Sequence, residues 1–249
     1  MSQKIAFITG GNRGLGFQTA LDLKDAGMKV VIGSRDVAQG EAALKKLRAA
    51  GVDAEVLKFD VTNHADHKAA YDYFDSKYGH LDILINNAGI AAAPFGDGKP
   101  RPEHSTAGVS MDLLHRVFET NFFAPVALTR TLLPLIKKSP AGRIVNLSSI
   151  LGSLTLHADP KSPIYHAKSF AYDASKTALN AFTVHLAYEL RDTNIKVNSA
   201  HPGWVKTDMG GDQAPMELSE GGKTSAALAT LPGDGPTGGY FHLGKPLPW

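Results

Sequence analysis

Short apolar runs alternate with longer amphipathic segments along almost the whole sequence. The runs Ile5–Thr9, Lys29–Gly33 and Leu81–Ile85 have the length of strands, and segments with the apolar spacing of helices lie between them. Strands that alternate with helices favour a parallel sheet that is covered on both faces. Because crossovers between parallel strands are right-handed, the expected fold class is α/β, a single doubly wound parallel sheet with helices on both faces.

The rest of the chain continues this alternation. The further predicted strands are Asp53–Phe59, Arg143–Leu147, Lys196–Ala200 and Tyr240–Leu243. The predicted helices are Gly14–Ala26, Val37–Ala50, His64–Tyr78, Met111–Lys138 and Phe170–Arg191. Pro125 predicts a break near Ala124, because proline disrupts the interior of a helix. Two stretches without a period, Ala91–Ser110 and Gly152–Ser169, are expected to be long loops near the functional site.

Composition narrows the possible partners. The chain has 249 residues, with 26 basic and 24 acidic side chains and a net charge of +2, so nothing favours a nucleic-acid or anionic-membrane partner. The absence of cysteine excludes disulfides, thiolate metal sites and a cysteine nucleophile. No stretch approaches the ~20 apolar residues that cross a bilayer, and the N-terminus lacks the pattern of a signal peptide. A cytoplasmic location is therefore expected, and residues 1–249 are predicted to form one domain.

A glycine-rich loop joins the first predicted strand to the first predicted helix. Its sequence, Thr9 to Gly16, follows the pattern T-G-x-x-x-G-x-G. Glycines let the backbone approach a pyrophosphate closely, and the helix N-terminus supplies free N–H groups and a partial positive charge. The strand–loop–helix context therefore predicts a dinucleotide cofactor.

Further motifs follow in order, and together they carry a family resemblance. They are Asp60-Val61, Asn86-Asn87-Ala88-Gly89, the set Asn121, Ser149, Tyr172 and Lys176, and Pro202-Gly203. With the glycine loop they resemble the classical short-chain dehydrogenase/reductase family, which implies a Rossmann-type fold and an oxidoreductase domain. The residues added between Ser149 and Tyr172, and the stretch Pro202–Met209, resemble the NADPH-dependent carbonyl reductases of that family.

The end of the second predicted strand bears on the choice between NADP and NAD. An acidic residue there would bind the ribose 2′-hydroxyl of NAD, but this sequence has Ser34 followed by Arg35. A guanidinium can hold a phosphate through two charge-assisted hydrogen bonds, and Arg13 of the glycine loop can reach the same region. These residues favour NADP(H). The alternative is that Asp36 takes the acidic role and the cofactor is NAD.

Tyr172 and Lys176 are four residues apart and share one face of a predicted helix. Reduction of a carbonyl needs a proton on oxygen, and a tyrosine hydroxyl could supply it if a nearby ammonium lowers its pKa from about 10. Tyr165 is a weaker candidate, because the position four residues later is Ser169 rather than lysine. We expect it to line the substrate pocket instead.

The resemblance assigns the remaining roles. It implies that Ser149, rather than Ser148, bonds the substrate oxygen, that Lys176 also holds the nicotinamide ribose, and that Asn121 supports a water relay. The implied cofactor-binding residues are Gly10, Asn12, Arg13, Gly14, Leu15, Gly16, Ser34, Arg35, Asp60, Val61, Asn87, Ala88, Gly89, Tyr172, Lys176, Pro202, Gly203, Val205 and Thr207.

Several points stay open at this level. Trp204 is either core packing or a wall of the pocket, and His201 receives no role. His64 and His67 are three residues apart, but no further ligand completes a metal site, so no metal is predicted. The prediction is an NADP(H)-dependent reductase of a small-molecule carbonyl, as a monomer or homodimer. An NAD-linked alcohol dehydrogenase and a non-catalytic NADP(H)-binding sensor are the alternatives.

Overall fold

The fold is taken from a computed structural model that describes residues 3–92 and 105–249. Within them, one eight-stranded sheet has the order β3-β2-β1-β4-β5-β6-β7-β8. The strands are β1 (Ile5–Ile8), β2 (Lys29–Ser34), β3 (Ala54–Lys58), β4 (Ile83–Asn86), β5 (Arg143–Leu147), β6 (Lys196–Ala200), β7 (Tyr240–His242) and β8 (Lys245–Pro246). Neighbouring strands run parallel except β7 and β8, which are antiparallel.

Helices cover both faces of the sheet, which confirms the predicted fold class. They are α1 (Gly14–Asp22), α2 (Val37–Ala49), α3 (His64–Tyr78), α4 (Met111–Phe118), α5 (Ala124–Ile136), α6 (Leu154–Ala158), α7 (Phe170–Glu189), α8 (Leu218–Gly221) and α9 (Lys223–Ala229). One buried apolar cluster lies between the sheet and α3, α5 and α7. A second cluster lies on the opposite face, against α1, α2 and α9. The central strands are buried on both faces, which explains their continuous apolar runs.

The chain changes direction across the sheet between β1 and β4. From β1 it adds β2 and β3 on one side, and β4 then starts the other side. Ligand crevices of doubly wound sheets lie at such a switch point, beyond the carboxyl ends of the strands. Here Thr9 Oγ1 accepts hydrogen bonds from the backbone N–H groups of Asn87 and Ala88, each at 3.0 Å. The loops that follow β1 and β4 are thus joined directly.

The segment Met111–Lys138 is interrupted next to Ala124, close to the predicted position. The interruption is a π-helical stretch, Glu119–Phe123, which separates α4 from α5 while the backbone stays helical. Pro125 follows this stretch directly, and its missing N–H leaves a carbonyl one turn earlier without a backbone donor. The irregularity therefore takes the form of a π-turn instead of a break in the helix.

Other differences concern short elements. The first helix ends at Asp22 instead of Ala26, and a 3₁₀ turn leads to Gly27 in the left-handed region at φ 66°. The predicted loop Gly152–Ser169 contains α6, and α8, α9 and β8 lack a sequence signal that we recognised. Most of the predicted loop Ala91–Ser110 lies outside the described residues. None of the helices described is both long and apolar enough to span a bilayer.

Candidate active site

A cavity of about 440 Å³ lies at the carboxyl ends of the strands, over the switch point. The predicted site residues that line it are Gly10, Asn12, Arg13, Gly14, Leu15, Arg35, Asp60, Val61, Asn87, Ala88, Gly89, Tyr172, Lys176, Pro202 and Thr207. It is also lined by Phe59, Thr62, Ile90, Thr120, Leu147, Ser148, Lys206, Asp208, Met209 and Leu218, which were not predicted. Residues far apart in the sequence thus converge on one cavity.

Six predicted site residues support the cavity without lining it: Gly16, Ser34, Asn121, Ser149, Gly203 and Val205. Gly16 packs so closely that a Cβ there would lie 2.5 Å from Asn87 Nδ2. Val205 is buried. These six residues lie behind the lining residues, in the same loops and elements.

The glycine loop fits an anionic group. Gly10 has φ +64° and Gly14 has φ +54°, a region that favours glycine. Helix α1 begins directly after Arg13, and no side chain caps its N-terminus. Asn87 Nδ2 donates to the carbonyl oxygen of Thr9 at 2.7 Å, which holds the start of the loop. The uncapped N–H groups and the helix dipole suit the pyrophosphate of a dinucleotide.

Of the three residues Ser34, Arg35 and Asp36 at the end of β2, only Arg35 lines the cavity. Arg35 is exposed and lines the cavity. Ser34 is buried, and its hydroxyl donates to the Asp36 carbonyl at 2.7 Å, so it does not face the cavity. The Asp36 carboxylate caps α2 by accepting from Gln39 N at 2.9 Å, and it does not line the cavity. The Asp36 carboxylate, which would have to bind the ribose 2′-hydroxyl of NAD, is therefore engaged in capping α2.

Tyr172 and Lys176 line one end of the cavity together with Ser148, and Ser149 contacts Tyr172 without lining the cavity itself. Tyr172 and Lys176 lie one turn apart on α7, and Lys176 Nζ lies 5.6 Å from the centre of the Tyr172 ring. The Ser149 side chain hydrogen-bonds to Tyr172. Lys176 Nζ donates to the Leu147 carbonyl at 2.7 Å, so the end of β5 fixes the amine. The arrangement places one acid–base hydroxyl, one hydrogen-bonding hydroxyl and one amine together.

The electrostatics of this group differ from the sequence-based expectation. Burial raises the pKa of Tyr172 to about 12, although the Ser149 hydrogen bond acts in the opposite direction. Burial also lowers the pKa of Lys176 to about 8. Burial therefore dominates the pKa of Tyr172 in the protein without its cofactor, and the expected lowering toward neutrality is not found there.

Asn121 is held by the π-helical stretch and is fully buried. Its Oδ1 accepts from Ile90 N at 2.8 Å and its Nδ2 donates to the Ile90 carbonyl at 2.9 Å. The same Nδ2 donates to Ser175 Oγ at 3.0 Å, and Ser175 Oγ donates to the Tyr172 carbonyl at 2.7 Å. Ser175 is a site residue that the sequence reasoning missed, although its place directly before Lys176 was a usable signal.

Comparison with known proteins decides the family. A family model described as short chain dehydrogenase matches residues 4–218. The chain belongs to the short-chain dehydrogenase family. The chain is 33% identical to the NADPH carbonyl reductase 1 of Mus musculus, and the alignment covers 100% of this chain and 99% of that protein.

Two solved structures resemble the chain over its full length. The carbonyl reductase Sniffer of D. melanogaster has a TM-score of 0.83 and 31% identity, with 100% of both chains covered. An NADPH-bound carbonyl reductase from chicken fatty liver has a TM-score of 0.83 and 26% identity, also with 100% of both chains covered. The resemblance drawn from the motifs is thereby confirmed.

The residues added between Ser149 and Tyr172 are tied to α7. Asp173 Oδ2 accepts from Ser169 N at 2.8 Å and lies 3.4 Å from His157 Nε2. Lys168 Nζ lies 2.9 Å from His157 Nδ1 and 5.0 Å from the centre of the Tyr165 ring. Tyr165 is half-buried and does not line the cavity, so no contact supports its predicted pocket role.

The structure also shows the surroundings of Trp204 and of the two histidines His64 and His67. The Trp204 ring is 45% exposed, and its Nε1 donates to the Gly210 carbonyl at 2.8 Å, so it is not core packing. His67 is buried with Nε2 2.7 Å from the Val61 carbonyl oxygen, and its ring lies 5.3 Å from that of His64. Among the residues that the structure describes, no three histidine or acidic side chains are grouped to hold a metal ion.

Proposed function

We propose that the protein is an NADPH-dependent reductase of small carbonyl compounds. The observation that carries the proposal is the Ser149–Tyr172–Lys176 group at one end of the cavity, with the glycine loop at the other. The family membership and the similarity to carbonyl reductases named for NADPH support it. The substrate class is an aldehyde, ketone or quinone.

The preference for NADPH is assigned to Arg35 and Arg13. Both line the cavity near the glycine loop, and a guanidinium suits a 2′-phosphate. The NAD-linked alternative is disfavoured because the Asp36 carboxylate caps α2. The lining residues Asp60, Val61, Asn87 and Ala88 would border the adenine side of the nucleotide.

The chemistry of the proposal is divided between the protein and the cofactor. NADPH, when bound, supplies the hydride that the carbonyl carbon receives. Tyr172 donates its hydroxyl proton to the carbonyl oxygen, and Ser149 hydrogen-bonds the same oxygen. Lys176 holds the nicotinamide ribose and, as a cation, favours the phenolate that remains on Tyr172. Asn121 fixes Ile90 and Ser175 and so keeps the helix and the loop after β4 in register.

The test is consumption of NADPH with para-nitrobenzaldehyde, acetophenone and menadione as probes. We expect turnover in the wild type, loss of at least about 100-fold in Tyr172→Phe, and unchanged NADPH binding in that variant. Tyr165→Phe is the matched control, because it removes a hydroxyl from the same region without touching the cavity. Equal turnover in Tyr172→Phe and wild type would contradict the site, and tight binding without turnover in the wild type would favour the non-catalytic sensor.

The proposal leaves the assembly as a monomer or homodimer. Val184 and Tyr188 of α7 and Phe123 beside it are exposed apolar side chains that a second copy could cover. Size-exclusion chromatography with light scattering distinguishes the two states. The cytoplasmic location stays a prediction from the sequence, and fractionation of cells that express the tagged protein tests it.

A further inference from the structure

His201 follows β6 directly and lies between two loops of the candidate site. Its backbone N–H donates to the Phe241 carbonyl at 2.8 Å. His242 Nδ1 lies 3.0 Å from the His201 carbonyl oxygen, and the two rings are 4.9 Å apart. The residue is only 7% exposed. Strand β7 thus fixes His201 through both backbone polar groups and through ring packing.

The imidazole accepts hydrogen bonds from two different loops. The backbone N–H of Ile150 lies 3.2 Å from His201 Nδ1, and that of Gly203 lies 3.4 Å from the same atom. Because both partners are donors, Nδ1 carries no proton and the neutral ring is protonated on Nε2. Burial, together with the neighbouring His242, lowers the pKa of His201 to about 3, so the ring stays an acceptor at neutral pH.

The bond to Ile150 orients the peptide that carries Ser149. Ser149 precedes a 3₁₀ turn, Ile150–Gly152. Within that turn, Leu151 N donates to Ser149 Oγ at 3.2 Å and Gly152 N donates to the Ser149 carbonyl at 2.7 Å. The Ile150 N–H is the amide of the turn that Ser149 does not satisfy, and His201 satisfies it. The orientation of the Ser149 hydroxyl therefore depends on His201.

The bond to Gly203 acts on the loop that follows β6. Gly203 has φ +95°, and a Cβ there would lie 2.1 Å from Met216 Sδ, so this loop has little freedom to shift. Pro202, between His201 and Gly203, lines the cavity. One ring atom therefore joins the turn of the proposed catalytic serine to a wall of the proposed nicotinamide site.

We propose that His201 is a positioning residue, whose Nδ1 sets the separation between the Ser149 turn and the Pro202–Gly203 loop. The inference rests on the proposed function, since it assumes that Ser149 contacts the substrate. A displacement of reacting groups by about 1 Å can cost on the order of 100-fold in rate. Loss of the acceptor should therefore reduce kcat more than it raises the KM for NADPH.

The test compares side chains that place an acceptor at different points. In His201→Asn the side-chain oxygen takes the position of Nδ1, whereas in His201→Gln it lies farther out, near Nε2. His201→Leu keeps much of the volume and removes the acceptor. Exposed His185 on α7 provides the matched control, His185→Asn. Each variant is assayed for kcat and KM with para-nitrobenzaldehyde and NADPH, and its thermal midpoint is measured.

We expect His201→Asn to keep kcat within a factor of about three, because it retains the acceptor. We expect kcat to fall by roughly 10- to 100-fold in His201→Gln and His201→Leu. Equal loss in the asparagine and glutamine variants at equal thermal midpoints, or wild-type kcat in His201→Gln, would overturn the proposal. If His201→Leu fails to fold, the comparison of the two amides decides. Ser149→Ala in the same assay separates the assumptions, because wild-type turnover in that variant refutes the site itself.

Discussion

Arg13 reaches across the cavity to Asp208, and its Nη1 lies 2.5 Å from Asp208 Oδ2. The pair joins the glycine loop to the loop after β6, and both residues line the cavity. Both side chains are largely exposed, at 69% and 81%. A guanidinium that is paired with Asp208 through Nη1 has fewer N–H donors left for a 2′-phosphate. The Asp208 carboxylate therefore competes with the cofactor for Arg13.

Asp208→Asn should release Arg13 and tighten the binding of NADPH. An exposed ion pair is worth about 0.2–1 kcal/mol, so the dissociation constant should fall by about 1.5- to 5-fold at low salt. NADH, which lacks the 2′-phosphate, should bind as before. Fluorescence titration of both nucleotides measures this, with exposed Asp212→Asn as the control. Equal changes for NADPH and NADH would contradict the competition.

Arg35→Asp should reverse the preference for the cofactor. The change removes a charge-assisted partner of the 2′-phosphate and adds a repulsive carboxylate, so NADPH affinity should fall by roughly 10- to 100-fold. NADH should be affected by less than about threefold. Arg191→Asp, at an exposed arginine remote from the cavity, is the charge-matched control. Selective loss for NADPH supports the assignment, whereas equal loss for both nucleotides would show that Arg35 contacts a group they share.

Asp173→Asn should change how stability depends on pH. Burial raises the pKa of Asp173 from 3.8 to about 7, although the Ser169 N–H and the charge of Lys168 act in the opposite direction. The folded state thus binds the proton more tightly than the unfolded chain, so this contribution is fully present below pH 3.8 and is lost as the pH rises to about 7. Asparagine keeps an acceptor for Ser169 and does not titrate.

Between those pH values the stability of the variant should therefore rise relative to that of the wild type. Denaturant unfolding at a series of pH values measures the difference. The control is Asp159→Asn, an exposed carboxylate on the same insertion. A difference between Asp173→Asn and wild type that does not vary with pH would mean that Asp173 ionises as easily in the folded state as in the unfolded chain.

Glu55→Gln should destabilise the protein at neutral pH and make its stability less dependent on pH in acid. Burial alone would raise the pKa of Glu55, but hydrogen bonds from Lys77, Tyr73 and Tyr78 outweigh it and lower the pKa from 4.5 to about 2. The stabilisation is complete above pH 4.5 and is lost as the pH falls toward 2. At neutral pH the variant should lose about 1–2 kcal/mol of unfolding free energy.

The difference between Glu55→Gln and wild type should then shrink as the pH falls below 4.5. Glu217→Gln is the control, since Glu217 pairs with Lys206 at the surface, where an ion pair contributes little. Thermal unfolding followed by circular dichroism measures both variants. A constant difference down to pH 3 would place the stabilisation in packing instead of charge.

The sequence predicts the parts of the fold that depend on local pattern. The buried runs of β1, β4 and β5 and the glycine loop were recognisable because apolar spacing and glycine content are local properties. The meeting of Thr9 with Asn87 follows from the position of β1 beside β4 in the sheet, an order that the βα alternation alone does not determine. The cavity-facing position of Arg35 was predicted from its place directly after the second strand.

Properties that depend on three-dimensional surroundings were not predictable in this way. The spacing of Tyr172 and Lys176 is visible in the sequence, but the burial that raises the pKa of Tyr172 depends on the packing around it. The orientation of Ser34 away from the cavity depends on its bond to the Asp36 carbonyl. The role of Ser175 and the contacts of His201 depend on segments that are distant in sequence. Contacts between segments that are distant in sequence leave no periodic pattern in the sequence itself.

The π-helical stretch Glu119–Phe123 makes this part of the chain sensitive to its length in a way that a loop is not. A π-turn accommodates one residue more than the α-helical turn it replaces. Deleting one residue there would allow α4 and α5 to join as a regular helix with little rotation of one relative to the other, because a π-turn and an α-turn each close one full turn. The side chains within the stretch would be redistributed around the helix, however, and Asn121 could then no longer face Ile90 and Ser175 together. Variants of this protein should therefore tolerate changes of residue type within Glu119–Phe123 far better than changes in the number of residues there.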